Sequence, residues 1–234
     1  LTEKGIAAES VVKQMKFNMA VGGNYFMEIA KFLAARYLWS QITKEYKVSE
    51  KASKATIHAI TSEWNKTVYD PYVNMLRTTT DALSSAIGCV DSLTVKSFDF
   101  ITENSAFGER IARNQQLILK EEAYFDKIVD PSAGSYYIEN LTSSIVEHAW
   151  QLFRQTEEKG GYIEAFKRGD IQGRIKITAN NRDIALASRR ENILGINQYP
   201  NFTEYIEKQI NQQAFRSQNL ATSDSTIETL KPYR

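Results

Sequence analysis

A chain of 234 residues, 42% hydrophobic and 11% aromatic, can bury a core and suits one large α/β domain or part of a larger protein. With 29 Lys and Arg against 28 Asp and Glu and no basic stripe, nucleic acid is not an expected partner, and a single cysteine forms no internal disulfide. No apolar run reaches the roughly 18 residues a membrane helix needs, and no signal-peptide pattern opens the chain, so a cytoplasmic protein without membrane partners is expected. The chain starts at Leu1, without a methionine, which leads to the expectation of a fragment.

Residues 10–14 close an amphipathic segment that feeds a strand over 16–21. Gly22-Gly23-Asn24 then makes a turn, with Asn24 as cap of a long helix ending near Tyr46. Its apolar positions, Phe26, Ile29, Phe32, Leu33, Tyr37, Leu38 and Ile42, cover much of the circumference, which predicts packing against more than one neighbour. The charged run 44–54 reads as a solvated connection. Residues 55–95 read as a βαβ unit in which two β-branched runs flank one amphipathic helix. Asp70 and Pro71 open that helix and Gly88 follows its end, while Val73, Leu76, Thr80, Leu83 and Ile87 predict a core-facing stripe. In the first strand of the unit Thr56, His58 and Ile60 share one face, and Ile57 and Ala59 the other. Candidate chemistry centres on His58.

Further on, Phe107, Ile111, Ile118 and Phe125 predict a helix over about 108–125, and Asp130-Pro131-Ser132-Ala133-Gly134-Ser135 a turn. Ser144 with Glu147 reads as a capping box for a helix to Lys159, stopped by Gly160-Gly161. Helices over 162–167 and 170–189 follow, then a fourth strand over 192–197. The polar stretch 217–234 reads as an extended tail or linker. Few strands, each followed by helix, give the rhythm of a (β/α) TIM-type barrel, but a complete one needs about 250 residues. The expectation is therefore about half a barrel over residues 1–216, with its open edges and inner face covered by a second chain or by further residues.

Generic chemistries fall away. There is no GxxxxGK[ST] or GxGxxG pattern, and His58, His148 and Cys89 are too few for a zinc site, so no metal ligand is assigned. His148, beside Glu147 without HExxH spacing, reads as surface or packing.

Several blocks in chain order carry a resemblance. They are Phe26-Met27-Glu28-Ile29-Ala30-Lys31 with Leu38-Trp39, His58-Ala59-Ile60-Thr61-Ser62, Asp70-Pro71-Tyr72-Val73-Asn74-Met75-Leu76-Arg77, Arg110-Ile111-Ala112-Arg113-Asn114, and Asp130-Pro131-Ser132-Ala133-Gly134-Ser135-Tyr136. Together they resemble the methylmalonyl-CoA mutase family. The resemblance implies the C-terminal half of a substrate-binding TIM barrel, with residues 217–234 leading toward a separate cobalamin domain. In that family adenosylcobalamin supplies a radical that interconverts methylmalonyl-CoA and succinyl-CoA, and the protein binds, shields and orients.

The departures also bear on function. Where catalytic members of the family carry H-x-Q-T-S-G-W, this chain keeps His58, Thr61, Ser62 and Trp64 but has Ile60 for the glutamine and Glu63 for the glycine. Where they carry T-Q-S-L-H-T-N, it has Val90-Asp91-Ser92-Leu93-Thr94-Val95-Lys96, and Phe100 takes the place of an acidic residue expected at the adenosyl group. A coenzyme A contact, R-L-S, becomes Gln14-Met15-Lys16. Directed hydrogen bonds to carboxylate, thioester or phosphate are not replaced by Ile, Phe or Asp, so Gln14, Lys16, Ile60, Asp91 and Phe100 read as degenerate substrate or cofactor positions, and His58 as a vestigial catalytic one. The cobalt-ligating D-x-H-x-x-G is not in the sequence, so this stretch alone is not expected to bind cobalamin.

This pattern resembles the small (beta) subunit of heterodimeric members. It implies a non-catalytic component of an isomerase that stabilises a catalytic large subunit. The alternatives are an active acyl-CoA mutase of altered substrate, using His58 with Asp91 and Lys96, and a bare interaction module that pairs with a second copy of itself.

Overall fold

The protein is described by a computed structural model covering Thr2 and residues 5–203. The expected tail over 217–234 lies outside the described residues. Helix α1 (Ala8–Gln14) leads into β1 (Phe17–Val21), α2 (Tyr25–Glu45), β2 (Ile57–Thr61), α3 (Val73–Ile87) and β3 (Ser92–Thr94). The regular elements that follow are helical: α4 (Ala106–Leu117), a π turn (Ile118–Glu122), a 3-10 turn (Phe125–Lys127), α5 (Tyr136–Glu158), α6 (Gly161–Lys167) and α7 (Asp170–Ala187).

The three strands form one parallel sheet in the order β1-β2-β3, a mixed α/β arrangement. Asn18 lies opposite His58 and His58 opposite Ser92; Ala20, Ile60 and Thr94 form the next row. Alternation along β2 follows the sequence: Ile57, Ala59 and Thr61 are buried, while His58 and Ile60 are half-buried. Ile57 and Ala59 join Val21, Phe32 and Ala55 in a core flanked by Phe17, Trp39, Val90 and Leu93. Phe17 meets Trp39 edge to face at 4.9 Å, the offset geometry that the ring quadrupole favours.

The fourth strand expected over 192–197 does not form. Gly195 takes φ +82°, and Asn197 Oδ1 accepts the Ile193 amide at 2.7 Å, so a turn captures the donor that a ladder would need. Only an isolated bridge, Leu194 with Gln198, remains there.

The helix after β2 departs from its predicted face. It begins at Val73, beyond Asp70 (φ +46°) and Pro71, and Leu76 is 66% exposed. The buried side chains are polar: Asn74, Thr78, Asp81, Ser84 and Ser85, together with Ala82. Hydroxyls on that face donate back to their own helix, Thr78 Oγ1 to the Asn74 carbonyl at 3.0 Å, and Ser84 and Ser85 to the Asp81 carbonyl at 2.9 and 3.0 Å. The helix can bury these hydroxyls because their hydrogen bonds are made locally.

Gly88 follows this helix as expected, but for a different reason. A Cβ there would come within 2.8 Å of the Phe32 ring, so glycine permits close approach to α2. The left-handed residue of the cap is Cys89, φ +56°, with Cys89 N–H donating to the Ala86 carbonyl at 3.2 Å and Val90 N–H to that of Ser85 at 3.3 Å.

Asn24 precedes α2, yet its side chain makes no capping bond. Helix α4 is shorter than predicted and ends in the π turn, where Ala123 N–H reaches the Ile118 carbonyl. Helix α5 starts at Tyr136, leaving Ser144 inside it and no capping box there. The true start lies in the Asp130-to-Ser135 turn, where Glu139 Oε1 accepts the Gly134 amide at 3.1 Å and adds negative charge to the first turn.

The chain divides into two compact units. One holds the described residues up to Ser62 together with Thr79–Val95 and Gln115–Leu152; it contains the sheet. The other holds Glu63–Thr78, Lys96–Asn114 and the described residues from Phe153 onward. Within the second, Asp99 Oδ2 accepts the Ser105 hydroxyl at 2.5 Å, and Ser105 Oγ in turn accepts the Gly108 amide at 3.0 Å, capping α4. The Arg182 guanidinium lies 4.3 Å over the Trp64 ring, and its Nε is 3.4 Å from Glu191.

Candidate functional site

Strand β2 carries His58 on the sheet face opposite the core, in register with Asn18 and Ser92. Both ring nitrogens are engaged within the sheet: Nδ1 lies 2.7 Å from Ser92 Oγ and Nε2 3.2 Å from Thr94 Oγ1. A neutral imidazole offers one donor and one acceptor, and a hydroxyl answers either, so β3 satisfies the ring in both tautomers. Beside it on the same face stand Ile60 and Ala20, which offer no directed hydrogen bond. Ile60 therefore sits where the sequence placed it, on the histidine's face.

Asp91 does not. Its Oδ2 accepts the Ile57 amide at 2.8 Å and pairs with Arg36 Nη2 at 2.8 Å. Arg36, from α2, also donates to the carbonyls of Ala55 at 2.8 Å and Cys89 at 2.5 Å. Asp91, which reads from the sequence as a degenerate substrate position, has its carboxylate fastening the starts of β2 and β3 to α2.

Gln14 is the exposed last residue of α1, and Lys16 is exposed just before β1. Between them Met15 lines a cavity of about 450 Å³ at the N-terminal edge of the sheet, shared with Glu9, Val12, Lys13, Ser49, Lys51, Ala52, Lys54 and Thr56. Lys13 and then Ser49, at 2.8 and 3.2 Å, hold the Glu9 carboxyl below its usual range. Lys51 and Lys54 have no carboxylate partner among the described residues, so the wall carries net positive charge. Sequence reasoning missed these lysines because a charged run between helix and strand reads as solvated surface; only the fold brings them to one cavity.

In the second unit Phe100 lies 4.4 Å beneath the Lys96 ammonium, which also pairs with Glu63. His148 is exposed on α5, its Nδ1 2.7 Å from the Ser144 carbonyl. No group of three or more His, Cys, Asp or Glu side chains able to hold a metal ion occurs among the described residues. With both His58 nitrogens taken up by hydroxyls, the described donor set does not fit a cobalt ligand.

The methylmalonyl-CoA mutase family model matches residues 1–234. The chain belongs to this family. It is 54% identical over 207 residues to the methylmalonyl-CoA mutase small subunit of Porphyromonas gingivalis, covering 87% of this chain and 34% of that protein. It is 38% identical to the small subunit of Streptomyces virginiae, over 87% of this chain and 33% of the relative. The large subunit of Porphyromonas gingivalis is also similar, at 37% over 84% of this chain and 28% of its own length. The chain thus spans about a third of the length of the small subunits it matches. No described helix is long and apolar enough to cross a membrane.

Proposed function

We propose that this chain is part of the small subunit of an adenosylcobalamin-dependent methylmalonyl-CoA mutase, that it does not itself carry the isomerisation, and that it acts by pairing with a catalytic large subunit. One observation carries the reading: His58, on the open sheet face, spends both nitrogens on Ser92 and Thr94, beside Asn18, Ile60 and Ala20. A carbonyl or carboxylate arriving there finds no unspent directed donor on the ring. The parallel βαβαβ order supports part of a TIM-type barrel. The occurrence of both small and large subunit relatives in Porphyromonas gingivalis supports the pairing, and a cytoplasmic location follows from the reading. The lysine-lined cavity suits the charge of a coenzyme A phosphate, so affinity for that moiety can outlast the chemistry.

An active enzyme using His58, Asp91 and Lys96 is less well supported, because Asp91 is committed to Arg36 and the Ile57 amide, and Lys96 to Glu63. The test is His58→Ala in the full small subunit assembled with its large subunit. Stability should fall by about 1 to 3 kcal/mol through the two lost hydrogen bonds, with assembly and turnover of the complex unchanged. Lost turnover at intact assembly contradicts the reading.

A further inference from the structure

Residues 62–72 follow β2 and residues 95–105 follow β3, and in parallel sheets such loops are where ligands are gripped and where movement admits them. Here the two are joined by side chains. Lys96 pairs with Glu63, and the same ammonium stands 4.4 Å over the Phe100 ring. The Lys96 and Glu63 side chains are only 22% and 15% exposed, so solvent screens the pair little. Asn74 Nδ2 adds bonds to the Thr67 carbonyl at 2.8 Å and the Phe98 carbonyl at 3.2 Å, and the Tyr72 and Phe98 rings lie 5.7 Å apart. The far end of the second loop is anchored by Asp99 and Ser105 to the start of α4.

We propose that Glu63, Lys96 and Phe100 form a strap that fastens the loop after β2 to the loop after β3 and holds both in one conformation. A partly buried ion pair adds little net stability, but it favours the one geometry in which the two charges meet. Phe100 contributes by presenting its ring face to the ammonium, which keeps Lys96 directed at Glu63. These three positions are also departures from the catalytic pattern that the sequence resembles, and the geometry makes them one interacting unit. The strap does not depend on whether the chain is catalytic.

Hydrogen exchange on the full chain, read in peptides covering 62–70, 96–105 and β2, tests it. Lys96→Met and Glu63→Gln should each speed exchange about tenfold or more in both loop peptides, with β2 unchanged. The double variant should be no faster than the faster single one, and Lys96→Arg, which keeps the pair, should retain protection. The strap is overturned if either single variant leaves both loops at wild-type rates, if only one loop responds, if the two effects multiply, or if Lys96→Arg loses protection like Lys96→Met.

Discussion

Cys89 shows how a single side chain reports its surroundings. It occupies the left-handed cap position after α3, half-buried, with Sγ 3.2 Å from the Val129 carbonyl. Burial pushes the thiol pKa up, the Asp130 carboxylate adds to the rise, and Arg36 opposes it. The thiolate is the nucleophile that iodoacetamide alkylates, so the reaction should reach half its limiting rate at a higher pH in the native protein than in the denatured one. The sign for stability follows. The folded state holds this proton more tightly, so its contribution is complete below the unfolded thiol's pKa and is lost as pH rises through the folded one. A native midpoint below the denatured midpoint contradicts this account. At the same scale, Asp91 was readable as a departure from a pattern but not as a clamp, because its partners Arg36 and the Ile57 amide lie 55 and 34 residues away.

At the scale of elements, strands β1 and β2 were legible because their alternation fixes which face is buried, and β2 buries the predicted residues. Helix α3 was legible in extent and not in orientation. Hydrophobic periodicity marks the apolar side of a helix, whereas this one buries a polar side whose hydroxyls bond their own turns. Asn74→Ala should therefore cost about 1 to 3 kcal/mol, since it strands the Thr67 and Phe98 carbonyls, while Leu76→Ser should stay within about 0.5 kcal/mol of wild type. Urea denaturation of the two variants decides it, and the reverse ranking would restore the apolar stripe as the buried face. The missing fourth strand has a similar cause. Residues 192–197 are apolar enough for a strand, but Asn197 supplies a local acceptor and Gly195 a left-handed turn, and these outcompete a ladder. The early start of α5 escaped notice because Glu139 reaches back to the Gly134 amide, two residues beyond the spacing of a capping box.

For the whole molecule, family membership was legible from several short blocks in the same order, and the match over residues 1–234 agrees. The candidate site was legible in part: His58 and Ile60 share the open face, while the lysine-lined cavity and the Glu63–Lys96–Phe100 cluster needed the fold to bring distant residues together. The exposed aromatic side chains Phe26 and Tyr137 meet edge to face at 5.4 Å, apolar surface of the kind that the proposed pairing would cover. The account rests on a retained scaffold whose histidine is spent within the sheet. The most direct measurement is turnover of methylmalonyl-CoA, with the cobalamin radical signal followed in parallel, by the full-length small subunit alone and after addition of the large subunit. The account predicts neither turnover nor a substrate-dependent radical from the small subunit by itself and both from the assembled pair; substrate-dependent radical formation or turnover by the isolated small subunit would contradict it.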